Sequence, residues 1–336
     1  MNFDRIGDVE FKDTCVRWTA LSADGSAREF RISRPFGNGW RLQMSRADGT
    51  FDSRGAAQLL AEELGEEIRA DPAPLALDES GAGVWRVTSP DCESSVELSA
   101  DAFRLVFLGV DRRPRAEIEE ASIEGDTVQI AGSLRRHARL YGTGERFNAV
   151  DQRGRRAAIW AEDRWLETEG NSYLPIPFVL STAGYGLFVN RLEGMTIDLG
   201  TDDPDRWEIS DLEAPLDLYV FVDDSPRRIL ASLAELTGRA PVPPEWAFGV
   251  LVSRHGRTKE FCTPEGVREM VRKMDEFDLP WSGVILEGWP TYDSERYGEL
   301  KALVDELHAW GKKALVYDAC GRVRGRLIAE AEGTEP

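Results

Sequence analysis

The segment APVPPEW (240–246) divides this chain into two rhythms that cannot share one sheet. Its three prolines fix φ and lack an amide donor, so it can neither extend a helix nor enter a central strand. Before it, EFRISRPF (29–36), GWRLQMSRA (39–47), VWRVTS (84–89), SSVELSA (94–100), FRLVFLGV (103–110) and DTVQIAGSL (126–134) are short segments between Gly, Asp and Pro breaks. YLPIPFVLST (173–182), YGLFVNR (185–191), MTIDLG (195–200), RWEIS (206–210) and LDLYVFV (216–222) continue the pattern. Short half-buried strands separated by turn signals predict an antiparallel β-sandwich. Two stretches have helical spacing instead: AAQLLAEELGEEI (56–68), and SPRRILASLAELTG (225–238) with Ser225 as N-cap and Gly238 at its end.

After the prolines the period changes. FGVLVSR (248–254) reads as a strand buried on both faces. In TPEGVREMVRKMDEF (263–277), Thr263 offers a cap and Pro264 takes the first position of an amphipathic helix. WSGVILE (281–287) is the next strand, GELKALVDELHAWG (298–311) a helix closed by Gly311, and KKALVYDAC (312–320) a third strand. Alternating strands and helices mean parallel pairing through right-handed crossovers. The expected organisation is therefore a multidomain β plus α/β chain: a β-sandwich over 1–238, a linker over 239–247, and an α/β domain over 248–336. Length agrees, since single cores stop growing near ~250–300 residues and this chain has 336.

Parallel α/β folds bind ligands at the carboxyl ends of their strands. Arg254, Glu287 and Asp318 stand at those ends, with Trp289 just beyond. A carboxylate accepts hydrogen bonds from two neighbouring sugar hydroxyls, and an indole gives a pyranose an apolar platform. Structural roles compete: Arg254 could pair with a nearby acid, and Asp318 could hold its strand-end loop.

Charge narrows the partners. Sixty acidic against 41 basic residues give a net charge of −19, which repels phosphate backbones and anionic lipid. Neither nucleic acid nor a membrane is expected as a partner. The N-terminus MNFDRIGDVEFKD lacks an apolar signal core, so a cytoplasmic location is expected. Cys15, Cys92, Cys262 and Cys320 are widely spaced and read as free thiols, not as a zinc site. No HExxH or acidic calcium loop occurs, so no metal is expected. YGTGER lacks both the Lys-Ser/Thr of a P-loop and the GxGxxG of a dinucleotide turn, and no cofactor is expected. Of His137, His255 and His308 none stands beside a GxSxG elbow, and only His255, following the first strand after the prolines, has a plausible location for chemistry. A lone histidine there is more often a loop residue or a binding contact than a base.

LYGTGERFNAVDQRGRRAAIWAEDRW (140–165), SYLPIPFVLSTAGYGLFVN (172–190) and PVPPEWAFGVLVSR (241–254) together carry a family signature. They resemble glycoside hydrolase family 31, the retaining α-glucosidase and α-xylosidase family. Its members show YGxGE, RG…W, YLxxPFxxS…GYGxFxN and a PPxWAxG entry to the barrel, in this order. The resemblance implies a galactose-mutarotase-like N-terminal sandwich followed by the first three βα units of an incomplete (β/α)8 TIM barrel. It also implies an α-linked oligosaccharide or glycoside as ligand. Family members hold the terminal sugar partly with an aspartate on a sandwich loop, and the match puts Asp163 there. A second sugar-binding aspartate ends the second barrel strand, where this sequence has the longer Glu287.

Retaining hydrolysis needs a nucleophile and a general acid/base about 5–5.5 Å apart. In family 31 both are aspartates on later barrel strands, the nucleophile within a W-x-D-M-N-E-like segment. No such segment occurs here, and the chain closes on RLIAEAEGTEP (326–336) just past the third strand. No catalytic residue is therefore assigned, and the chain alone is expected to be inactive. A barrel needs ~250 residues, far more than residues 241–336 supply. The open sheet is therefore expected to be covered by missing sequence, by a second chain completing the barrel or by self-association. The chain reads as the N-terminal part of a longer or split enzyme. The alternative is a non-catalytic carbohydrate-binding or scaffold protein.

Overall fold

The computed structural model describes residues 1–12, 14–51, 74–81, 83–162, 172–253, 263–286 and 297–316. The helical stretch expected at 56–68 lies outside them. The chain divides into two compact units, Met1–Arg239 and Ala240–Pro336.

The first unit is built from antiparallel sheets. An eight-stranded sheet runs in the order Arg5–Lys12, Cys15–Leu21, Ala27–Phe36, Gly39–Met44, Leu216–Val222, Tyr185–Val189, Phe178–Ser181, Leu140–Gly142. A five-stranded sheet follows the order Glu120–Glu124, Thr127–Ser133, Arg206–Glu213, Met195–Asp198, Arg156–Ile159. A third sheet is a meander from Ala76–Gly81 to Pro114–Ile118. Alternate residues of all three sheets meet in one core, which includes Trp18, Phe30, Trp40, Phe107, Ile130, Trp207 and Leu218. This is the sandwich that the period-two segments predict.

Leu216–Val222 is buried along its whole length because both its faces are covered. Leu216, Leu218, Val220 and Val222 enter the main core. Tyr219 and Phe221 point the other way, into a second cluster with Phe178, Leu180, Phe188 and with Ile229 and Leu236 of helix Pro226–Thr237. Ser225 precedes that helix without a side-chain capping bond. Asp223 organises the start instead: its Oδ1 accepts from the Ser225 amide at 2.7 Å and its Oδ2 from Arg228 Nε at 2.6 Å. Gly238 ends the helix at φ 94°, a conformation that favours glycine.

The second unit contains a three-stranded parallel sheet, Leu251–Ser253, Gly283–Leu286 and Lys313–Val316. Helices Pro264–Glu276 and Tyr297–Ala309 make the crossovers. Thr263 Oγ1 accepts from the Gly266 amide at 3.2 Å, and Pro264 occupies the first turn, where its missing N–H costs nothing. Val267, Val271, Leu300, Leu303 and Leu307 pack against Val284, Leu286 and Trp281. Arg268 joins the helices through a two-pronged bond to Glu306, 2.8 Å on each prong.

One expectation is corrected here. Residues 248–254 do not form one strand buried on both faces. Glu245–Phe248 is a 3-10 turn, Phe248 is 72% exposed, and the strand begins only at Leu251. Its residues are half-buried or exposed because it has one neighbour among the described strands and the helices cover one face.

Candidate functional site: a pinned loop cluster and a row of strand ends

The YGTGE motif forms a turn with three successive positive φ angles: Gly142 at 117°, Thr143 at 63° and Gly144 at 90°. The glycines are required by more than φ. A Cβ on Gly142 would lie 2.3 Å from the Phe178 carbonyl oxygen, and one on Gly144 would lie 2.0 Å from that of Leu174. The turn therefore lies flat on residues 174–178. The Thr143 amide donates to Phe178 O at 2.8 Å and the Glu145 amide to Leu174 O at 3.0 Å. Ser172 Oγ closes the contact by donating to Glu145 O at 2.5 Å.

A third motif segment joins this pair. Ala161 bridges Ser172 in parallel, and the Glu162 amide donates to Ser172 O at 3.2 Å. Arg146 spans the group from within, donating to Thr143 O at 3.0 Å and Ala158 O at 2.8 Å. Segments 142–146, 158–162 and 172–178 are thus joined to one another by hydrogen bonds. Glu162, which closes the described part of the second segment, immediately precedes Asp163.

Other motif residues build the scaffold. Asp151 Oδ1 accepts from the Leu140 and Arg153 amides, both at 3.1 Å. Arg153 donates to the carbonyls of Arg135, Ala138 and Pro204. Asn190, last residue of the GYGLFVN segment, donates through Nδ2 to Asp217 Oδ2 at 2.8 Å and is wholly buried.

The surface of the loop cluster is unusually apolar. Phe147, Trp160, Tyr173, Leu174 and Ile176 are all exposed, and Trp160 lies over Gly194. The sequence reading did not single out these side chains. Their signal was faint: large apolar residues inside motif loops, where no period assigns them to a core.

In the second unit, Ser253, Leu286 and Val316 end adjacent parallel strands at the same, carboxyl edge. They are the last described residues before Arg254, Glu287 and Tyr317, the last of these one residue ahead of Asp318. Asp163, Arg254, Glu287, Trp289 and Asp318 themselves all lie outside the described residues, as does His255. Among the described residues, no group of three or more His, Cys, Asp or Glu could hold a metal ion, and Cys15 and Cys92 are free thiols. No described helix is long and apolar enough to cross a membrane.

The sequence pattern of the glycosyl hydrolase 31 N-terminal galactose mutarotase-like domain matches residues 29–198, and that of the glycosyl hydrolases family 31 TIM-barrel domain matches residues 240–320. The chain belongs to glycoside hydrolase family 31. This family 31 chain is 25% identical over 245 residues to alpha-xylosidase XylQ of Lactiplantibacillus pentosus, a match covering 70% of this chain and 32% of that protein. It is 29% identical over 185 residues to alpha-glucosidase 2 of Bacillus thermoamyloliquefaciens, covering 51% and 23% of the two chains. Its fold superimposes on the Flavobacterium johnsoniae GH31 dextranase FjDex31A complexed with glucose at a TM-score of 0.80 and 17% identity, over 99% of this chain and 41% of that one. A GH31 alpha-xylosidase from a soil metagenome, complexed with xylose, aligns at a TM-score of 0.70 and 16% identity, over 97% and 50%. The family 31 chain thus spans about a third of XylQ and two fifths of the dextranase. The fold is that of the family's N-terminal portion: a sandwich followed by the opening βα units of the barrel.

Proposed function

We propose that this chain is the substrate-recognising N-terminal portion of a retaining α-glycosidase, with a sandwich over 1–238, a linker over 239–247 and the start of the barrel over 248–336. Its ligand is an α-linked glucoside or xyloside. Asp163 and Glu287 accept hydrogen bonds from the terminal sugar's hydroxyls, Trp289 stacks on its apolar face, and Arg254 and Asp318 complete the row. The supporting observation is the ordered pair of family matches, sandwich then barrel, combined with the hydrogen-bonded loop cluster whose last described residue, Glu162, precedes Asp163 in sequence. Charge-assisted hydrogen bonds to carboxylates give such a site its orientation, and stacking adds contact area.

The hydrolytic step needs two further carboxyl groups, one to attack the anomeric carbon and one to protonate the leaving oxygen. The sequence holds no W-x-D-M-N-E-like segment. These groups come from polypeptide outside this sequence, which makes the chain a binding module by itself. Titration calorimetry with methyl α-glucoside, methyl α-xyloside and isomaltose tests the assignment, alongside release of nitrophenol from aryl α-glycosides. Saturable heat without turnover is expected. Turnover by the chain alone would show that catalytic carboxylates had been overlooked, and absence of heat with every sugar would remove the binding role.

A further inference from the structure

We infer that Arg17, Arg31 and Gln43 form a binding site for one small oxyanion, the carboxylate, phosphate or sulfate group of a small molecule. The site lies on the sandwich unit and uses none of the residues of the proposed α-glycosidase assignment.

Strand pairing in the eight-stranded sheet sets Arg17 opposite Arg31, Arg31 opposite Gln43 and Gln43 opposite Asp217. Val16, Trp18, Ile32, Leu42 and Leu218 enter the core, so this cross-strand row stands on the other face. Like charges directly opposite each other destabilise a sheet, and Arg17 against Arg31 is such a pair. The neighbouring carboxylates are already engaged. Glu29 accepts from Arg17 Nη1 at 3.0 Å, and Asp217 accepts both prongs of Arg41 at 2.7 Å. Among the described residues, no carboxylate pairs with Arg31. Its Nε donates to the neutral Gln43 Oε1 at 2.8 Å, while Nη1 and Nη2 bond to no described residue and reach solvent.

Two further donors face the same shortage. Arg17 Nε is buried without a hydrogen-bond partner. Gln43 is 2% exposed, and with Oε1 taken by Arg31 its Nε2 is left to donate. The Phe51 ring backs both guanidiniums, its centroid 4.3 Å from Arg31 Cζ and 5.8 Å from Arg17 Cζ. Stacking engages the faces of the guanidiniums and leaves their in-plane N–H groups for a ligand. Burial, and then the charge of Arg41, hold the Arg31 guanidinium below its ordinary value, which a bound anion would offset. A guanidinium fork matches two oxygens of a carboxylate or of a phosphate. The net charge of −19 repels nucleic acid and anionic lipid surfaces, so the row suits a single oxyanion group and not a polyanion.

The probes are phosphate, sulfate and glucuronate, each titrated into the full 336-residue chain at constant ionic strength in calorimetry and thermal unfolding. Sulfate and phosphate also stabilise proteins by exclusion from their surface, so the reading is the difference between the wild type and Arg31→Gln. Saturable one-site heat and a raised Tm are expected for the wild type with at least one probe. A response to glucuronate alone would support a carboxylate ligand, and one to phosphate or sulfate alone a tetrahedral group. Arg31→Gln should weaken binding at least about tenfold, and Arg17→Gln should weaken it by a smaller factor. Arg272→Gln, on an exposed helix face of the second unit, should not change it. If Arg31→Gln fails to fold by circular dichroism, Arg31→Lys replaces it, keeping the charge and losing the fork. No saturable response to any probe, or the same response in the Arg31 variant, would overturn the inference and leave the row a structural stack. Titration with uncharged methyl glycosides reads the proposed function separately, so failure of one leaves the other standing.

Discussion

Arg41 grips Asp217 with two parallel bonds, Nε to Oδ1 and Nη2 to Oδ2, each 2.7 Å. Asp217 is wholly buried in the strand that both cores share, and Asn190 satisfies its Oδ2 as well. Burial opposes the Arg41 charge, but the carboxylate outweighs it and holds the guanidinium above its ordinary value. Removing one partner would leave an uncompensated buried charge, which costs about 3–5 kcal/mol. Asp217→Ala should therefore lower stability in urea unfolding by about that amount. Arg41→Met combined with Asp217→Leu should recover part of the loss, because no buried charge is left unpaired. Asn190→Leu in addition should recover more, since Asn190 Nδ2 loses its acceptor with Asp217.

Gly144 and Gly154 separate two costs that usually occur together. Both have positive φ, 90° and 73°, so an alanine at either pays about 1–2 kcal/mol for a left-handed backbone. Gly154 has nothing within 4 Å of a new Cβ, whereas at Gly144 that atom would collide with the Leu174 carbonyl. Gly154→Ala should show the conformational cost alone in denaturant unfolding. Gly144→Ala should lose more and loosen the loop cluster, seen as faster hydrogen exchange at the Glu145 amide.

Stability should fall at both ends of the pH scale for identifiable reasons. Burial would raise the Asp223 pKa, but bonds from Arg228, the Ser225 amide and Asn38 outweigh it and hold the carboxyl below its ordinary value. The folded state thus binds its proton less readily than the unfolded chain, so this stabilisation is present above the unfolded pKa and lost as pH falls through the folded one. Asp223→Asn should flatten the acid limb of a stability-against-pH curve. At the other end, burial pushes the Tyr185 phenol up to about 12. Its contribution is complete below the ordinary phenol value near ~10 and disappears as pH rises through the folded value. Tyr185→Phe should remove that alkaline loss.

Sugar binding should depend on Asp163 and Glu287 together. A hydrogen bond to a charged group contributes about 1.5–3 kcal/mol, so Asp163→Asn and Glu287→Gln should each weaken methyl α-glycoside binding at least about tenfold in calorimetry. Unchanged affinity in both variants would remove these carboxylates from the site.

The parts of the fold legible in the sequence are those where one physical rule dominates. TPEGVREMVRKMDEF declares its start through Thr263 and Pro264. LDLYVFV, by contrast, reads as one more half-buried strand and is in fact buried on both faces because two cores claim it. Leu140–Gly142 and Arg156–Ile159 escaped the reading because three or four residues carry almost no period. Ala76–Gly81, ALDESG, is an exposed edge strand whose polarity hides it. The overlong reading of 248–254 treated an apolar run as burial, yet Phe248 and Val250 are exposed. In the candidate site, the motif order was visible but the reason for its glycines was not. Their need for positive φ and for near-contact with the Leu174 and Phe178 carbonyls exists only once distant segments meet.

Because Leu216–Val222 shows aromatic side chains on one side and aliphatic ones on the other, helix Pro226–Thr237 acts as the lid of a second, smaller oil drop. A chain cut after Val222 would keep every strand of the sandwich and still lose Ile229 and Leu236, leaving Tyr219, Phe221, Phe178 and Phe188 as a bare aromatic floor. Anyone excising the sandwich should therefore cut beyond Gly238, or expect a protein that sticks to itself.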